Sequence, residues 1–109
     1  MNFPVNPNKP WYHGSPAVID TLRAGSAVTQ WKELAEAFAT KPARLEYDEI
    51  FGPITHNGKK TGYLYQIDEP IAIGVDIFQY PRSTMNQGVE FHTKRPLKLK
   101  RIQPGDIHA

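Results

Sequence analysis

Between residues 30 and 40 the apolar positions Trp31, Leu34, Ala35 and Phe38 recur at helical spacing, with Lys32, Glu33 and Glu36 around the remaining arc. One apolar stripe on an otherwise polar cylinder predicts an amphipathic helix, with Trp31, Leu34 and Phe38 on its buried face. Lys41-Pro42 ends it, because the residue before a proline avoids helical backbone angles. A shorter helix is expected ahead of it. Ser15 suits an N-cap and Pro16 the first helical position, Val18, Ile19 and Leu22 form a stripe, and Gly25 suits the stop. Residues 11–14, ahead of that helix, read as a short strand, and 26–29, after it, as a short strand or extended link.

Beyond residue 42 the pattern turns to alternation. Leu45 and Tyr47 alternate with charges. Asn57-Gly58 is a two-residue hairpin signal, expected to join 50–54 to 63–67, and Pro53 places the first of these at a sheet edge. Residues 71–73, 89–93 and 97–102 read as further strands, and the polar stretch 79–88 as a loop. In 97–102 the apolar and basic residues alternate, which puts one face on a core and the other in water. Two early helices followed by about six strands predict an α+β domain.

With 109 residues the chain suits one domain. Ten prolines and eight glycines favour short elements and many turns over a helical bundle. Residues 1–10 carry three prolines and no apolar periodicity, so an extended or disordered leader is expected there, with a single domain over 11–109. The leader lacks the basic and apolar regions of a secretory signal. No apolar run approaches the roughly 18 residues of a membrane span, so a cytoplasmic protein with no membrane partner is expected. The absence of cysteine removes disulfides and thiolate metal sites. His13, His56, His92 and His108 are scattered without ligand spacing, and no metal is expected.

The candidate chemistry gathers at Tyr12-His13-Gly14-Ser15. A strand that gives way to a glycine exposes a side chain and backbone N–H groups together, and lets a ligand approach closely. The next features in order are Leu22 to Gly25, Val28-Thr29, and a helix with Leu34-Ala35 and Ala37-Phe38-Ala39. With Gly62-Tyr63-Leu64-Tyr65-Gln66-Ile67 and Arg95-Pro96-Leu97-Lys98-Leu99 later, this order resembles the ADP-ribosyltransferase superfamily, and its small rifamycin-modifying branch in particular. The likeness spans most of 12–102, and its sharp motif is His-Gly-Ser.

That resemblance implies a compact, split, twisted, mostly antiparallel β core with NAD, as substrate, in the cleft. His13 would hydrogen-bond the adenosine ribose, the Gly14 backbone would contact the nicotinamide amide, and Ser15 would match the small hydroxyl residue that follows. Thr29 would close the second motif, whose stacking tyrosine is absent: Ala27 and Val28 stand there. The third motif, which stabilises the cationic sugar, falls on Glu90, with Gln87 as fallback and Asp76 on the rifamycin-type comparison. Tyr63 and Tyr65 would contribute to the wall of the nucleotide pocket. The implied activity is transfer of ADP-ribose to an unknown acceptor with release of nicotinamide. Two other readings stand beside it: an inactive nucleotide- or protein-binding module of the same fold, and a nucleic-acid-binding domain using the basic run Lys94, Arg95, Lys98, Lys100 and Arg101. A net charge of +2 decides nothing between them.

Overall fold

Nine short strands and one helix form among the described residues, which are 2–42, 44–47, 51–59 and 62–102 of a computed structural model. In chain order they are β1 (Tyr12–Ser15), β2 (Thr21–Leu22), β3 (Ala27–Val28), α1 (Lys32–Ala39), β4 (Leu45–Glu46), β5 (Thr55–His56), β6 (Tyr63–Ile67), β7 (Ile77–Gln79), β8 (Phe91–Thr93) and β9 (Leu97–Arg101). All named strand pairs are antiparallel. One sheet has the order β1-β6-β9-β2, a second the order β3-β8-β7, and β4 and β5 form a two-stranded ribbon. The result is one domain of mostly antiparallel strands carrying a single helix, in agreement with the α+β expectation at that level. No helix among the described residues is long and apolar enough to cross a membrane.

The alternation of β9 does what its sequence dictates: Leu97 and Leu99 are buried, Lys98 and Lys100 exposed. With Trp11, Leu22, Val28, Tyr65, Ile67, Ile77 and Phe91 these leucines form the main core. Helix α1 lies across β1 and β6. The approach is close because glycines face it. A Cβ on Gly14 would fall on the Ala35 carbonyl oxygen, and one on Gly62 on the Ala39 carbonyl. Buried Ala35 and Ala39 form the helix side of that contact.

Three expectations need correction. The first helix does not form; residues 16–20 run without helical structure into β2. The Ser15 hydroxyl accepts the Ala17 N–H at 3.1 Å, closing a local turn instead of capping a helix. The Tyr65 hydroxyl donates to the Ala17 carbonyl and accepts the Ile19 N–H, which pins the segment open. Leu22 pairs with Leu97, and Val18 is 70% exposed, so the supposed stripe has no common face. The Asn57-Gly58 hairpin does not form either. Asn57 is bound to Arg44 through both its side chain and its N–H, so β5 pairs with β4 and not with β6. Gly58 packs where a Cβ would strike Thr40. Residues 48–50, within reach of that expected strand, lie outside the described residues. Finally, 71–73 contributes only an isolated bridge from Ile73 to Ile77, and the strand of this region is β7.

The leader is extended and laid over the fold. The Phe3 N–H donates to the Gln87 carbonyl at 2.8 Å. Its ring stacks on Trp31 at 5.6 Å and meets the edge of Phe51 at 5.1 Å. Gln30 holds the next turn, accepting from Asn6 N–H and donating to the carbonyls of Asn6 and Lys9. A lone aromatic among prolines carries no periodicity, which is why its packing leaves no pattern in the sequence. Phe3→Ala should therefore cost about 2 kcal/mol, below the full-burial value because the ring is half-buried. An unchanged denaturant midpoint would show that the leader adds nothing to the second core cluster around Trp31, Leu34 and Val89.

Candidate functional site

Among the described residues one backbone bridge, Tyr12 with Thr29, links the two larger sheets. Tyr12 and Thr29 exchange both backbone hydrogen bonds, at 2.7 and 3.0 Å. In an antiparallel ladder the next bonded pair would be Gly14 with Ala27. It does not form. The His13 side chain takes the Ala27 carbonyl instead, with Nδ1–H donating at 2.7 Å, and the sheets part there. The register on the other side of β1 fixes where Gly14 points. Ile67 N–H donates to the Trp11 carbonyl, so Trp11, His13 and Ser15 face β6 while Tyr12 and Gly14 face away from it. The N–H and C=O of Gly14 thus aim into the split, and no other protein group bonds them among the described residues.

A cavity of about 280 Å³ opens at this split, lined among others by Tyr12, His13, Gly14, Thr29, Phe38 and Glu90. A carbonyl can only accept, so His13 carries its proton on Nδ1 and presents the Nε2 lone pair to a ligand. Burial holds the imidazole below its ordinary value of 6.5; the Ala27 hydrogen bond opposes that shift and the charge of Lys41 adds to it. The unfolded chain therefore binds more protons than the folded one once the pH drops under about 6.5. The stability contribution is complete above the unfolded value and is lost as the pH falls through it towards the lower folded value. Melting at pH 7.5 and at pH 5 should show this loss in the parent. His13→Asn, which keeps a donor for Ala27 without titrating, should lose less; equal losses would contradict a neutral buried His13.

Glu90 stands just before β8 and borders the same cavity. Both of its oxygens are held. The Ser83 hydroxyl donates to Oε1 at 2.7 Å, and His92 Nε2 donates to Oε2 at 2.8 Å. The Tyr80 ring lies flat on the His92 ring, 3.8 Å away and 2° from parallel, so the histidine is itself fixed. Two residues apart across the start of a strand, Glu90 and His92 share a face, and that spacing was the one sequence signal for the pair. Nothing comparable marked Ser83 or Tyr80.

The other expected site residues fall elsewhere. Thr29 lines the cavity, although its hydroxyl is bound to the Trp31 N–H at 3.0 Å. Ser15 does not line it; its oxygen belongs to the turn with Ala17. Tyr65 is in the main core, 1% exposed, with its hydroxyl doubly bound. Tyr63 lies under Arg101. Gln87 is exposed and gives its carbonyl to the leader. Asp76 is tied to the Ala72 N–H and to Arg95, and these bonds hold its carboxyl below the usual range. Phe38 is half-buried, packing against the second core cluster and lining the cavity. At the second-motif positions Ala27 and Val28 both border the cavity, Val28 also belonging to the main core, so the aromatic rings available for stacking are those of Tyr12 and Phe38. Within the basic run, Arg95 is paired with Glu69 and Asp76, Lys94 sits over Phe78 and Arg101 over Tyr63. No cluster of three or more metal-ligating side chains occurs among the described residues. Comparison with protein-family models, curated proteins and solved structures found no significant match.

Proposed function

We propose that the chain is an NAD-binding domain of the ADP-ribosyltransferase type, which transfers ADP-ribose to an acceptor and releases nicotinamide. The observation that carries this reading is the interrupted ladder between β1 and β3. It leaves an unpaired Gly14 amide and carbonyl, a neutral His13 acceptor and the Glu90 carboxylate around one cavity. An amide needs one donor and one acceptor, and the two backbone groups of Gly14 offer the complement to a carboxamide. A ribose hydroxyl can donate to His13 Nε2. At about 280 Å³ the cavity is just below the usual range of ligand pockets, so it encloses one nucleoside end of a dinucleotide, not the whole.

In the reaction the bond from the sugar C1′ to the pyridinium nitrogen breaks, and its electron pair leaves with nicotinamide. Positive charge develops on the sugar. Glu90, oriented by Ser83 and His92, stabilises that charge more than it stabilises the ground state. The acceptor then attacks C1′ and gives up its proton. A second reading follows from Ala27 and Val28 at the tyrosine's position: the same cavity binds a nucleotide without turning it over. Calorimetric titration with NAD tests the binding that both readings share. His13→Ala should weaken it by about 0.5–1.5 kcal/mol, the net worth of one hydrogen bond. A parent protein that takes up no NAD at millimolar concentration would end both readings.

A further inference from the structure

Two ionised side chains border the cavity, Glu90 and Lys41. Glu90 is already matched by Ser83 and His92. Lys41 is exposed and forms no ion pair among the described residues. It follows α1 directly, and its N–H donates to the Phe38 carbonyl. Its φ is +54°, in the left-handed region where helices commonly end on glycine. A lysine thus stands where a glycine would sit with less strain, and its side chain reaches the cavity wall. Its charge is also felt at His13, whose protonation it opposes. The site is therefore two-ended: a hydrogen-bonded carboxylate on one part of the wall and an unmatched ammonium on another.

We propose that Lys41 is the phosphate-binding residue of this cavity and restricts its ligands to phosphorylated nucleosides. This rests on the nucleotide reading given above. With room for about one nucleoside, the cavity leaves the 5′ phosphate at its rim, where an exposed lysine meets it as a mobile point charge. Phosphate oxygens near the last turn of α1 would otherwise oppose the helix dipole, and the ammonium offsets that.

Calorimetric titrations with nicotinamide mononucleotide, nicotinamide riboside and inorganic pyrophosphate, each at low and high salt, test this. The parent should prefer the mononucleotide to the riboside by about tenfold or more, with the preference shrinking as salt rises. Lys41→Met should remove the preference and leave riboside binding unchanged. Lys41→Gly should do the same while melting no lower than the parent, because glycine relieves the left-handed backbone. A lysine kept only for the helix dipole would alter the melt and spare the titrations, which overturns the proposal. If the parent binds the riboside and the mononucleotide equally, the phosphate role fails while the cavity assignment stands. If pyrophosphate binds in a Lys41-dependent way and no nucleoside does, Lys41 is an anion site and the nucleotide reading fails. Binding of none of the three overturns both.

Discussion

Gly14→Ala should destabilise the domain by about 3 kcal/mol or more, the upper end of what overpacking costs. The new methyl would occupy the space of the Ala35 carbonyl oxygen, with the Ala39 nitrogen 2.8 Å away. Both obstacles are backbone, so no rotamer change relieves the contact, and α1 must lift from β1 and β6. That movement would loosen Leu34, which is fully buried in the second cluster. Gly25→Ala is the matched control. Gly25 has open space around its Cβ position and a φ of +83°, so it should lose only about 1–2 kcal/mol, the cost of a side chain in left-handed backbone. Denaturant midpoints of the two variants provide the comparison. Equal losses would mean that α1 does not rest on the Gly14 backbone, and the cavity bounded by both would then be wrongly drawn.

Glu90→Gln should lower nicotinamide release from NAD by about 10²–10³-fold, the scale found when one preorganised electrostatic group is removed. The amide oxygen can still accept from Ser83 or from His92, so the side chain keeps its place and NAD affinity should hardly change. The charge alone is lost, and it matters only as the sugar becomes cationic. A variant that keeps the parent's turnover would remove Glu90 from the chemistry. A parent that binds NAD and releases no nicotinamide would favour the binding-only reading, with Glu90 as a fixed wall charge.

What the sequence showed depended on whether the cause was local. The 3.6-residue spacing of Trp31, Leu34 and Ala35 and the alternation of Leu97 and Leu99 are one-element properties, and α1 and β9 formed as expected. A strand carrying His13-Gly14 also formed, although it runs on to Ser15, and Glu90 borders the same cavity as those two residues. Failures came where a distant partner overrode a local preference. Ser15-Pro16 has helix-start chemistry, yet the hydroxyl of Tyr65, nearly fifty residues on, fixes the following backbone open. Asn57-Gly58 has hairpin chemistry, yet Arg44 and Thr40 claim both residues. Tyr65 looked like a pocket wall because alternation cannot say which face of a central strand meets a ligand. The break between Gly14 and Ala27 was invisible for a different reason: it exists only because a histidine side chain takes the place of a backbone pair, and no pattern of apolar and polar positions encodes that.

The central claim is that the split between β1 and β3 is a nucleotide site, and the Gly14 amide reports on it directly. NAD titrated into ¹⁵N-labelled protein should shift the Gly14 N–H and the His13 ring resonances together and saturably, while the N–H of exposed Val18, outside the cavity, stays in place. If Gly14 and His13 remain unmoved at millimolar NAD, or shift only in step with Val18, the cavity is not the site and the functional account is wrong.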